Sequence, residues 1–174
     1  MHLIQLHYPD SPRDNSIAFN EDSRQYLIDT LNSIVKGPQE IIIIGAHSID
    51  GFWLDELSPE RQEVVMDKAD LVLSATTHFF ERSALPDYRD SGPLCINTGS
   101  ITFPALYCPP GFVQVHVLEE PFSLVVQYID ASQPQRELQH GEYTFIKIVD
   151  GPILETNFCE PRSEEDMEWL ESQK

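Results

Sequence analysis

Three short stretches of this chain carry residues that could do chemistry. His47 stands in IIIIGAHSID, directly after a run of isoleucines, with Asp50 close behind it. His78 stands in LVLSATTHFF, where a second apolar run gives way to Thr76 and Thr77. Asn97-Thr98-Gly99-Ser100 ends a third such run. Imidazole and carboxylate are ligands for divalent transition metals. A glycine among small polar residues lets the backbone approach a ligand closely. If the first two runs are neighbouring parallel strands, His47 and His78 leave the sheet at one rim and could hold one ion. Two protein ligands make a weak site, whereas catalytic zinc normally has three. On spacing alone, hydrogen-bonded polar groups at a sheet rim and an ordinary turn account better for all three stretches. His2 and His7 have no partner at useful spacing and read as surface histidines.

The elements that must position these residues follow from periodicity. MHLIQL reads as a short apolar strand before a polar loop. Residues 20–36 read as a helix, capped by Asn20 or Asp22 and stopped by Gly37-Pro38. Its expected apolar face is Leu27, Leu31, Ile34 and Val35, with Lys36 at the negative end. EIIIIG, residues 40–45, suits a strand buried on both faces, as in a parallel or mixed sheet covered by helices. Ser58-Pro59-Glu60 opens a second helix with Val64, Val65 and Ala69 inward. ADLVLSA is the next strand. PLCINTGSITFP reads as a short strand broken at Thr98-Gly99-Ser100. FVQVHVL alternates, with Val113, Val115 and Val117 on one face and Gln114 and His116 on the other. SLVVQYID follows Glu119-Glu120-Pro121 as the return of a hairpin, EYTFIKIV is a further strand, and Asp150-Gly151 marks a turn. The expected fold class is therefore α/β: a layered α/β unit followed by antiparallel strands, one domain over 1–158 and an acidic tail over 159–174. The tail reads as a short surface helix rather than a docking peptide.

Composition narrows the function classes. The chain has 174 residues, enough to bury a core, and 41% of them are hydrophobic. Its 29 acidic and 11 basic residues give a net charge of -18, and no Lys or Arg falls between Arg89 and Arg136. A basic stripe for a phosphate backbone is absent, so direct nucleic-acid binding is not expected. Cys95, Cys108 and Cys159 lack metal-type spacing and do not make a secreted disulfide framework. No segment has the length of a membrane span, and the expected location is the cytoplasm.

The order of these segments resembles the C-terminal half of the calcineurin-like metallophosphoesterase family, over roughly residues 10–130. In that family one histidine closes a strand, a Gly-His-x-His block closes the next, and an Asn-Pro-Gly-Ser-like turn follows. Ala75-Thr76-Thr77-His78 falls on the second block and Asn97-Thr98-Gly99-Ser100 on the turn. His47 falls on or within two residues of the single histidine. The stretch from Asp10 through the first helix looks like the segment before it in the cyclic-nucleotide phosphodiesterase branch. The resemblance implies a sandwich of two sheets with helices outside, with His47 and His78 as metal ligands, Asp50 as a secondary one, and Thr76, Asn97 and Ser100 lining the site.

The departures from that pattern are chemical. The family's earlier blocks, Asp-x-His, Gly-Asp and Gly-Asn-His-Asp/Glu, are not found upstream of His47. Thr76 replaces the first histidine of its block, and a threonine hydroxyl is a poor ligand for a transition metal. Two ions that bridge a phosphate and activate water need carboxylates to offset their charge. The expectation is a metal-deficient relative with no cofactor, acting as a binding or scaffold protein. One alternative is an active phosphoesterase using Mn, Fe or Zn, with His7 or Asp10 helping. The other is an acidic mimic of nucleic acid that blocks a basic partner. A chain starting near the family's midpoint should also leave a strand edge beside EIIIIG uncovered. Either the N-terminal residues form a replacement strand, or a second copy or another protein covers it.

Overall fold

The computed structural model describes residues 1–6, 21–46, 57–74, 80–82, 92–98, 111–130, 144–151 and 153–155. The chain runs β1 (His2–Leu6), α1 (Glu21–Ser33), β2 (Ile42–Ala46), α2 (Pro59–Lys68), β3 (Leu71–Ser74), β4 (Phe80–Arg82) and β5 (Leu94–Thr98). These precede β6 (Gly111–Glu119), β7 (Phe122–Asp130), β8 (Thr144–Ile148) and β9 (Ile153–Glu155). The first sheet has the order β1-β2-β3-β5-β4, parallel except for β4, which pairs antiparallel with β5. The second is an antiparallel meander, β6-β7-β8-β9. The expected α/β class with a following antiparallel sheet is what the chain forms.

The isoleucines of β2 show why the layers stack. Ile42 and Ile44 pack with Leu27, Ile28, Leu31 and Val65 of the two helices. Ile41 and Ile43 turn the other way and pack, with Leu71, Leu94 and Ile96, against Leu124, Val126, Tyr128 and Phe145 of the second sheet. The order of layers is thus helices, parallel sheet, antiparallel sheet. All of Ile41–Ile44 are at most 8% exposed. Each such burial is worth about 1.5–3 kcal/mol, so this strand cannot sit at a wet surface. β1 settles the question of its edge: it pairs in parallel along β2 from His2↔Ile42 to Leu6↔Ala46. The N-terminal strand covers that edge of β2, and Ile4 and Leu6 join the helical side of the core.

The helices are tied to each other by α2 side chains. Lys68 Nζ donates to the carbonyls of Leu31 and Ile34 at 2.6 and 3.0 Å, closing the C-terminal end of α1. Arg61 donates to Glu21 and Gln25 at 2.7 and 2.6 Å. α1 ends at Ser33, short of the expected Lys36. Val35, expected inward, is 92% exposed, and Ile28 takes the inward place instead. The helix stops before Val35 can complete the stripe. Ser58 holds the N-cap position of α2 with no side-chain cap bond, and Val65 and Ala69 are buried as expected. The Asp150-Gly151 turn forms, with Asp150 at φ 55 and the Gly151 N–H donating to Ile148. β4 and β9 are additions to the sequence expectation. The proposed tail, 159–174, lies outside the described residues.

Candidate functional site

Parallel pairing brings the strand ends to one rim. Leu6 lies beside Ala46, and Ser74 lies beside Asn97. Between them Gly45 is paired with Leu73, so Ala46 and Ser74 are next in the same row. The row Leu6, Ala46, Ser74, Asn97 therefore crosses the sheet at the carboxyl ends of β1, β2, β3 and β5. Strands are about 4.8 Å apart, which places the Ala46 and Asn97 backbones about 10 Å from each other. Carboxyl ends of parallel strands are where such sheets gather ligands. The chain leaves this row directly into His7 after β1 and His47 after β2, and into 75–79 after β3.

Of the residues singled out in the sequence, Asn97 is placed: it lies in β5, opposite Ser74 on one side and Glu81 of β4 on the other. Ser74 itself is 3% exposed. His47, Asp50, Thr76, His78 and Ser100 lie outside the described residues, as do His7 and Asp10. Among the described residues no cluster of His, Cys, Asp and Glu could hold a metal ion. The same residues contain no helix long and apolar enough to cross a membrane. Cys95 is buried in β5, its Sγ donating to the Pro93 carbonyl at 3.8 Å. His2, expected at the surface, is partly exposed and sits 3.5 Å from Glu40 Oε1. The Gly37 N–H holds the Glu40 carboxyl below its usual range.

Among the described residues, a buried ion pair lies at the opposite end of the parallel strands. Asp70, just before β3, is 2% exposed. Its Oδ1 accepts from Lys36 Nζ at 2.8 Å and its Oδ2 from the Ile42 N–H at 2.9 Å. Lys36 also donates to Asp150 Oδ1 at 3.0 Å. One ammonium thus joins the helical side of the fold to the β8–β9 turn. Burial alone would lower the Lys36 pKa, but the bonds to Asp70 and Asp150 outweigh it and the pKa rises above its ordinary value. Lys147, in β8, is 1% exposed and donates to the Gly151 carbonyl at 2.5 Å. Burial pushes its pKa down, with nearby Lys36 adding to the fall and Asp70 and Asp150 opposing it. Lys36 is thus ion-paired with both carboxylates, while the Lys147 ammonium is held by a backbone carbonyl. Sequence spacing gave no sign of the cluster, because its members come from a post-helix loop, a strand start, a strand and a turn. The chemistry it supports is structural: a charge-paired strut.

No family model, curated protein or solved structure matches the chain.

Proposed function

We propose that the chain is a reduced relative of the calcineurin-like phosphoesterases that works by binding rather than by hydrolysis. The observation that carries this reading is the common row Leu6, Ala46, Ser74 and Asn97. It sets the ends of β2, β3 and β5, the strands that precede His47, Thr76–His78 and the Asn97 turn in the sequence, on one rim, and that supports the order the resemblance implies. The stacked antiparallel sheet agrees with the family's sandwich. The ligand set does not agree: Thr76 stands where an imidazole is needed and the earlier carboxylate blocks are missing from the sequence. Too few donors converge to offset two divalent ions. The rim then serves as a recognition surface, and the protein acts as a scaffold in an oligomer or with a protein partner.

Metal analysis of the purified chain, with and without added manganese, tests the reading. Substoichiometric, weakly held metal and no hydrolysis of bis(nitrophenyl) phosphate are expected. A second reading, an active phosphoesterase with a rebuilt site, gains support from one feature: β1 delivers the chain to the same rim immediately before His7. It requires metal-dependent hydrolysis that disappears in His78→Ala.

A further inference from the structure

The long edge of the second sheet has the makings of a self-complementary interface. β6 spans nine residues, Gly111–Glu119, without lysine or proline and with Glu119 as its single charged side chain. Among the described residues it pairs with β7 alone. Natural edge strands are usually short, lysine-bearing, proline-bearing or bulged to block further pairing. This one extends about 30 Å and shows Phe112, Val117 and Leu118 at 40, 48 and 42% exposure.

The backbone direction at that edge follows from one hydrogen bond. The Phe122 carbonyl accepts from the Val149 N–H at 3.1 Å, so the backbone groups of Phe122 point toward β8. Alternation along an antiparallel strand sends those of Leu124, Val126 and Tyr128 the same way. Ser123, Val125, Gln127 and Ile129 then face β6, opposite Leu118, His116, Gln114 and Phe112. The remaining β6 residues, Val113, Val115 and Val117, turn their N–H and C=O groups outward.

We propose that two copies of this chain pair antiparallel through β6, about a two-fold axis at Val115. In that register every outward N–H and C=O from Gly111 to Glu119 meets one from the second copy. Val113 falls opposite Val117 of the second copy, extending the apolar layer that Val113 and Val115 already join. On the other face Phe112 meets Leu118. Gln114 meets His116, whose buried Nε2 has no hydrogen-bond partner among the described residues. These side chains lie at the non-hydrogen-bonded positions, where facing residues come closest. Glu119 falls opposite Gly111, so no like charges face each other. The occupant is a second copy rather than a foreign strand because the residues at equal distances on either side of Val115 match each other. The interface is independent of any metal chemistry at the parallel-strand rim. Each copy carries a charge of -18, so added salt strengthens the association by screening.

The test is sedimentation of the full chain over a range of concentrations, together with cysteine crosslinking. A dimer that tightens with salt is expected. Val117→Lys, at an exposed position, should weaken it about tenfold or more, because each lysine displaces an apolar cross-strand contact. Mixing Gln114→Cys protein with His116→Cys protein, each with its natural cysteines replaced by alanine, should give a disulfide between the two. Each alone should give none. A chain that stays monomeric, a dimer indifferent to Val117→Lys, or the absence of the mixed disulfide overturns the proposal.

Discussion

Replacing Asp70 by alanine should cost about 3 kcal/mol of folding stability. The carboxylate is 2% exposed and both of its oxygens are engaged. Its removal leaves Lys36, itself 13% exposed, with the exposed Asp150 as its remaining ion-pair partner among the described residues, and strips the Ile42 N–H of its acceptor. Breaking a buried ion pair from one side typically costs about 3–5 kcal/mol. Lys36 keeps Asp150, which reduces that figure, while the orphaned N–H adds about 1 kcal/mol. Asp70→Asn should cost less, about 2 kcal/mol, because one amide oxygen can still accept from one of the two donors. Urea unfolding reads the effect as a midpoint lowered by about 1.5 M at an unchanged slope. A double-mutant cycle with Lys36→Met should show coupling of about 1 kcal/mol or more. The gap should also depend on pH. The folded pKa of Lys36 is raised, so its stabilisation is complete below the ordinary 10.5 and is lost as pH rises through the higher folded value. If Asp70→Ala unfolds within about 0.5 kcal/mol of the parent, the size of an unremarkable surface change, the strut contributes nothing and the reasoning fails.

Two further outcomes follow from buried positions. Lys147→Met should stabilise the fold by about 1 kcal/mol at neutral pH, since a buried ammonium gives way to an apolar chain of similar length. Because burial lowers the folded pKa of Lys147, the unfolded state binds the proton more readily, so the gain should shrink as pH rises toward 10.5; paired urea titrations show this directly. Gly111→Ala should lower stability by about 2 kcal/mol, because its added Cβ would meet the Ile129 carbonyl oxygen and the Tyr128 ring. Thermal unfolding that leaves this variant at the parent's Tm would mean that the start of β6 sits elsewhere.

The parts of the fold set by local pattern were legible in the sequence, and those set by long-range pairing were not. Four isoleucines in a row announce a strand with two covered faces, and Ile41–Ile44 have them. The 3.6-residue stripe of α1 is visible through Leu27 and Leu31, yet it misleads at Val35, where the helix has already ended. β4 is three residues long and includes Glu81 and Arg82; nothing in so short a polar stretch signals pairing with β5. Asp70 fell within the expected strand ADLVLSA with no sign of its role, because its partners, Lys36 and the Ile42 N–H, are 34 and 28 residues away along the chain. At the candidate site, strand order brings the ends of β2 and β3 to one rim, while His47 and His78 lie outside the described residues. The pairing of β2 with β3 is a property of the whole sheet that no single motif encodes.

The account turns on whether the rim beyond Ala46, Ser74 and Asn97 can hold a pair of ions. Anomalous scattering from crystals soaked in manganese, recorded above the metal's absorption edge, answers that most directly. The account predicts no paired peaks at the ends of β2, β3 and β5. Two well-occupied peaks there, separated by about 3.5–4 Å as in two-metal hydrolases, would contradict it.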